Sequence, residues 1–204
     1  MRVIGFFVLL SFLVNVMTET LYCNFHHAKI LRAKEIYMCK VRNLTIESAA
    51  VRIEEIKGVQ RTNKSSADVG ILIIENQVCH YLPKDLGQHF PKVYHLDVNH
   101  SGLKVVTSDD MKVFRNMQHL YLRNNPLEAL PHDLLQHNPL ITFINFDKNR
   151  IKFIDPSVFD SLPDLVSLSI EGNICVDGFA MQEEPLETLK AEIARNCSQT
   201  TVNN

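Results

Sequence analysis

Residues 117–130 read MQHLYLRNNPLEAL. Apolar side chains stand at Met117, Leu120, Leu122, Leu127 and Leu130, with Asn124 and Asn125 wedged among them. A helix repeats its apolar face every three to four residues and a half-buried strand every two; this spacing fits neither. Set against the rest of the chain, the stretch recurs every 24 residues. Position 120 has counterparts at Leu72, Leu96, Ile144 and Leu168, and position 122 at Ile74, Val98, Phe146 and Ile170. Position 117 matches Val69, Val93, Ile141 and Leu165, and position 127 matches Cys79, Leu103, Ile151 and Cys175. All twenty slots are apolar or cysteine in a chain that is 46% hydrophobic. Chance fills such a frame about once in 10⁷, so the register belongs to the fold.

A 24-residue period with the pattern L-x-x-L-x-L-x-x-N-x-L is that of leucine-rich repeats. The expected architecture is an α/β solenoid, a right-handed coil whose short parallel strands form the concave wall. The first, fourth and sixth residues of each strand point inward, and the chain then turns at Gln77, Ser101, Asn125, Asn149 and Asn173. A buried asparagine there can satisfy backbone groups that have left the strand ladder. The convex segments carry apolar residues at Leu130 and Ile154 and again at Leu135 and Phe159, with Leu82 and Pro83 in the equivalent stretch. One repeat cannot bury its face alone, and stacked repeats form a continuous core.

Five regular repeats start near 69, 93, 117, 141 and 165 and fill residues 69–174. Residues 21–68 are expected to hold an amino-terminal cap and an irregular first repeat, in which Val41, Leu44 and Ile46 imitate the strand spacing. Its extra length falls in KGVQRTNKSSADVG (57–70), a polar stretch read as an exposed loop. Residues 175–197 form the other cap, where Leu186, Leu189 and Ile193 follow Pro185 at helical spacing; 198–204 are a tail. A solenoid must cover its core at both ends, and cap geometry pairs Cys23 with Cys39 and Cys175 with Cys197. Cys79 is left over as a buried free thiol, the alternative being an intermolecular disulfide.

Arg2 followed by the apolar run Val3–Val16 has the layout of a secretory signal peptide, assigned to residues 1–20, and is short for a membrane span. After its removal no membrane insertion is expected, and the mature chain is expected to be secreted and extracellular. Cysteine pairing suits that compartment. Asn43, Asn63, Asn99 and Asn196 stand in glycosylation sequons. A net charge of −2 without basic clusters argues against a nucleic-acid partner.

Residues between the inward slots face the concave surface, where equal slots stack into columns about 4.8 Å apart. The third slot reads Asn43, Ile71, His95, His119, Phe143 and Ser167; the fifth reads Thr45, Ile73, Asp97, Tyr121, Asn145 and Ser169; Arg42 and Tyr94 lie in the second. Ile71, Ile73, Tyr94, His95, Asp97, His119, Tyr121, Phe143 and Asn145 therefore form the candidate binding face, with aromatic anchors among hydrogen-bonding groups. His95, His119 and Asp97 invite a zinc ion, but side chains standing parallel on neighbouring strands suit convergence poorly, so no metal and no cofactor is expected. The histidine pair could instead respond to pH. His95, Asp97 and Ser101 could be written as a triad, yet Ser101 holds the turn slot; no catalytic activity is expected.

The segments YMCKVRNLTI (37–46), GILIIENQVCHYLPKDL (70–86) and FPKVYHLDV (90–98) resemble the small secreted leucine-rich repeat proteins of dipteran insects, some of which act in innate immunity. Carboxy-terminal caps of that class carry four cysteines where this one has two, and no coiled coil follows, so assembly through a coil is not carried over. The resemblance implies non-catalytic recognition of a protein or microbial-surface ligand. The alternatives are a self-associating structural or matrix protein and a soluble decoy or co-receptor.

Overall fold

The computed structural model describes residues 17–30 and 34–198; most of the assigned leader (1–16) and nearly all of the tail (199–204) lie outside the described residues. In chain order the strands are β1 (Thr18–Ile30), β2 (Lys34–Arg42), β3 (Thr45–Ile46), β4 (Arg52–Lys57), β5 (Ile71–Glu75), β6 (Val78–Cys79), β7 (His95–Asn99), β8 (His119–Tyr121), β9 (Ala129–Leu130), β10 (Phe143–Asn145), β11 (Phe153–Ile154), β12 (Ser167–Ser169) and β13 (Phe179–Met181). Helices α1 (Leu86–His89), α2 (Ser108–Met111) and α3 (Glu183–Asn196), with two short 3₁₀ turns at Ser66–Asp68 and Pro156–Phe159, complete it. A nine-stranded sheet in the order β13-β12-β10-β8-β7-β5-β2-β1-β4 forms the concave wall.

Within this sheet, from β5 to β12, each strand pairs in parallel with a neighbour 24 residues away: Ile71 with His95, His95 with His119, His119 with Phe143, Phe143 with Ser167. Of the twenty repeat slots, eighteen are buried, and the two exceptions, Leu165 and Cys175, belong to the last repeat, which is followed by β13 and α3. Short strands β9 and β11 pair on the convex side. The turn asparagines are the glue between coils. Asn125 donates through Nδ2 to the carbonyls of Val98, Leu122 and Arg123 (2.7, 3.0 and 3.1 Å), and its Oδ1 accepts from the amides of Ser101 (3.2 Å) and Leu103 (3.0 Å). Asn149 and Asn173 repeat the pattern one and two coils on. Ser101 manages less, donating to the carbonyls of Ile74 and Asn99 and accepting weakly from the Gln77 amide (3.4 Å).

The first repeat departs from the expected frame. β2 pairs with β5 through Met38 to Ile71, Cys39 to Leu72 and Lys40 to Ile73, an offset of 33 residues. Cys39, not Leu44, takes the central inward slot. Leu44 falls at the turn, where its amide donates to Gln77 Oε1 and its carbonyl accepts from the Val78 amide. Ile46 pairs with Cys79 through β3 and β6. The backbone reason is Asn43, whose φ of 52° is left-handed and ends the strand. Asn43 and Thr45 therefore leave the concave columns, and Met38 and Lys40 replace them.

At this end β1 runs antiparallel to β2, and β4 lies parallel outside β1. The Cys23–Cys39 disulfide staples β1 to β2. β4 is held to the coil by buried Asp85, both of whose oxygens accept from the Ile53 amide at 3.1 Å, while His89 Nε2 contacts the Ile53 carbonyl at 3.0 Å. β1 begins at Thr18, inside the stretch assigned to the leader, and Thr18, Glu19 and Thr20 all pair with β4. At the other end β13 adds antiparallel to β12, and α3 buries Leu186, Leu189 and Ile193 over the last coil, with Cys175 bonded to Cys197.

Candidate binding face

Observed strand pairing sets the concave columns as Met38, Ile71, His95, His119, Phe143, Ser167 and Met181, and alongside them Lys40, Ile73, Asp97, Tyr121, Asn145, Ser169 and Phe179. Paired residues project to the same side of a sheet, so these side chains share one face. Met38 and Ile71 are buried at that end of the column (8% and 4% exposed), so Ile71 offers little surface, whereas Ile73 beside it is half-buried.

Five candidates come together as an interlocked run of rings. His95 Nδ1 lies 3.3 Å from His119 Nδ1, close enough for one ring to donate to the other. His119 meets Phe143 edge-on with centroids 5.0 Å apart, His95 leans on Tyr121 at 5.0 Å, and Tyr94 approaches His119 at 6.2 Å. All five are half-buried. Burial, reinforced by the neighbouring His119, pushes the His95 pKa down to about 4, and burial also lowers that of His119. Both rings are therefore neutral at pH 7, and the run behaves as an apolar surface with polar edges.

Asp97 sits beside this run with its Oδ1 buried and without a hydrogen-bond partner among the described residues. Burial raises its pKa, and the nearby Arg123 opposes that shift. The Tyr121 phenol is raised by burial and then by Asp97. Asn145 is less available than its slot suggested: its Nδ2 donates to Asp147 Oδ2 (2.8 Å) and its Oδ1 accepts from the Asp147 amide. Asp147 in turn accepts from Ser169 Oγ and the Glu171 amide. Ser101 is buried at the turn with its hydroxyl committed to main-chain carbonyls, remote in role from His95 and Asp97. Among the described residues no three His, Cys, Asp or Glu side chains converge to hold a metal ion.

The remaining assignments divide. Cys79 is free and buried, its Sγ 3.4 Å from the Tyr81 carbonyl, and burial pushes its pKa up to about 12. Asn43, Asn63 and Asn196 are exposed, but Asn99 is 3% exposed and its Oδ1 accepts from Asn124 Nδ2. The folded chain thus hides that sequon. Four concave residues carried no repeat signal in the sequence: Met38 and Lys40 enter through the shifted frame of β2, and Phe179 and Met181 reach this face only because β13 turns back antiparallel, outside the 24-residue frame.

A leucine-rich repeat family model matches residues 115–174. Over 83 residues the chain is 34% identical to prolargin of Bos taurus and 31% identical to prolargin of Mus musculus. Those segments are 41% of this chain and 19% of each prolargin, so the match spans about a fifth of these curated relatives. Among solved structures, the leucine-rich repeat domain of APL1 superposes with a TM-score of 0.56 at 18% identity, covering 76% of this chain and 36% of that one. A chain of the Drosophila Toll–Spatzle complex superposes with a TM-score of 0.50 at 19% identity, covering 59% and 17%. The protein is a leucine-rich repeat solenoid. At those identities the structural likeness is one of fold. Among the described residues no helix is long and apolar enough to cross a membrane.

Proposed function

We propose that this leucine-rich repeat protein is a secreted, non-catalytic recognition module that binds a protein or microbial-surface ligand through its concave face. The observation that carries this is the ring run Tyr94–His95–His119–Tyr121–Phe143, half-exposed and uncharged at neutral pH, beside an Asp97 oxygen that lacks a partner. Half-buried rings already locked against one another lose little further freedom on binding, and aromatic anchors dominate interface energy. The half-buried Asp97 carboxylate beside the run offers one directional contact to a donor on the ligand. Two disulfides support an oxidising compartment, and the Toll structure, described as part of a hub in Drosophila development and innate immunity, supports immunity as a setting to test.

The test is capture of partners from the host's extracellular fluid by protein secreted from insect cells, beside a Tyr121→Ala/Phe143→Ala variant first checked for folding. Loss of two ring anchors is expected to weaken a concave-face partner by at least roughly thirtyfold. A partner held equally by both proteins would move recognition away from this face.

A further inference from the structure

The two edges of the concave sheet are treated differently. The amino-terminal edge is β4, whose Arg52, Glu54, Glu55 and Lys57 are exposed charges of the kind that discourage further pairing. The carboxy-terminal edge is β13, with the sequence Phe-Ala-Met and neither charge nor proline within it. Its register with β12 fixes which backbone groups are used. The Ile170 amide donates to the Gly178 carbonyl and the Gln182 amide to the Val166 carbonyl, both at 2.9 Å. In an antiparallel ladder, alternate residues bond to the same neighbour, so Ala180 serves β12 while the amides and carbonyls of Phe179 and Met181 point outward. Their side chains are 55% and 46% exposed, and Ala180 between them is 2% exposed.

Beside β13 lies a groove of about 350 Å³, with Gly178 and Phe179 on one side and Glu184, Pro185, Leu189 and Glu192 of α3 on the other. Gly178 keeps strand and helix this close: a Cβ there would come within 2.7 Å of the Leu189 side chain. The charge around the groove has one sign. Between residues 160 and 197 the chain has eight acidic side chains and only two basic ones, Lys190 and Arg195, and Lys190 is already paired with Glu187 at 2.9 Å.

We propose that β13 is a strand-addition edge: an extended segment of a partner protein, with apolar and basic side chains in alternation, pairs with the backbone of Phe179 and Met181. Its apolar side chains would pack against the Phe179 and Met181 side chains on the concave side, and its basic ones would turn toward Glu184 and Glu192. Main-chain bonds supply the affinity in this mode and the alternating side chains its specificity. The site stands apart from the ring run, so its failure leaves the concave-face proposal untouched.

The probe is a fluorescein-labelled peptide, Lys-Val-Lys-Val-Lys, titrated into the whole secreted protein by fluorescence anisotropy. Saturable binding is expected. N-methylating alternate amides, which removes donors and keeps every side chain, should weaken it at least roughly tenfold, the scale of one or two lost hydrogen bonds. A Glu-Val-Glu-Val-Glu peptide and the Glu184→Gln/Glu192→Gln variant should lose binding to a similar degree. Met181→Pro removes an outward amide that β12 does not use and should behave like the methylated peptide. Absence of binding to the wild type, or equal affinity for methylated and unmethylated peptides, overturns the proposal even if Met181→Pro fails to fold. Oligomers of the protein alone on sedimentation, abolished by Met181→Pro, would assign the edge to a second copy and overturn it as well.

Discussion

Replacing Asn125 by alanine should destabilise the solenoid far more than the same change at Asn173. In the wild type, Asn125 Oδ1 serves the amides of Ser101 and Leu103, and its Nδ2 serves the Val98 carbonyl, 2.7 Å away. All of this lies in the interior, with Asn125 itself 5% exposed. Of its other acceptors, the Leu122 carbonyl keeps a second donor in Asn149, and the Arg123 carbonyl is only partly buried. Alanine therefore strands three buried backbone groups, each worth roughly 1–3 kcal/mol when left unpaired, for an expected loss of about 3–5 kcal/mol. Asn173 is only half-buried, so water can enter the space its side chain would leave and take over its bonds, and Asn173→Ala should cost about 1 kcal/mol. Urea titration with the disulfides intact, followed by far-UV circular dichroism, reads both. A difference below about 1 kcal/mol between the two variants would refute the claim that these turns are satisfied from within rather than by solvent.

Two further outcomes are expected. The His95 pKa in the folded chain, about 4, lies below its ordinary 6.5, so between those values the unfolded chain binds more protons than the folded one. Stability should be fully present above about pH 6.5, fall as pH drops toward 4 by on the order of 2 kcal/mol, and then level off, and His95→Phe should flatten that slope in thermal melts across the range. If the secreted protein is glycosylated, peptide mass spectrometry should find glycan among Asn43, Asn63 and Asn196 and none at Asn99, whose side chain is buried; an occupied Asn99 in folded protein would contradict that burial.

The repeats were legible because one physical demand, an apolar side chain facing the core at each strand, recurs at a fixed interval and leaves its record in side-chain type. The amino-terminal frame was not, because Val41, Leu44 and Ile46 imitate the strand spacing while φ at Asn43, invisible in an apolar pattern, turns the chain after Arg42. A cysteine, Cys39, then does the work of the expected leucine. β4 and β13 lie outside the period and are placed by long-range pairing, which single-sequence patterns do not encode. On the concave face the columns from β5 to β12 followed directly from the period. What the period could not convey was neighbourhood: that Asn145 is held by Asp147, that Ile71 is covered, and that Phe179 and Met181 extend the surface.

The asparagine ladder also has a direction. Asn125 reaches back to amides and carbonyls of the coil before it, Asn149 to the coil of Leu127, and Asn173 to the coil of Ile151. Each turn is thus completed by a residue about 22 positions further on, and none of these bonds points the other way. During synthesis, a coil emerging from the ribosome stays unfinished until its successor appears, so order is passed backward along a chain made forward. Among the described residues no further turn asparagine serves the last coil; Cys175, standing where Leu103, Leu127 and Ile151 stand earlier, is bonded instead to Cys197 at the end of α3. The solenoid is accordingly a one-way structure: what is lost from its carboxy-terminal end undoes the coil before it, and the disulfide is where that unravelling is stopped.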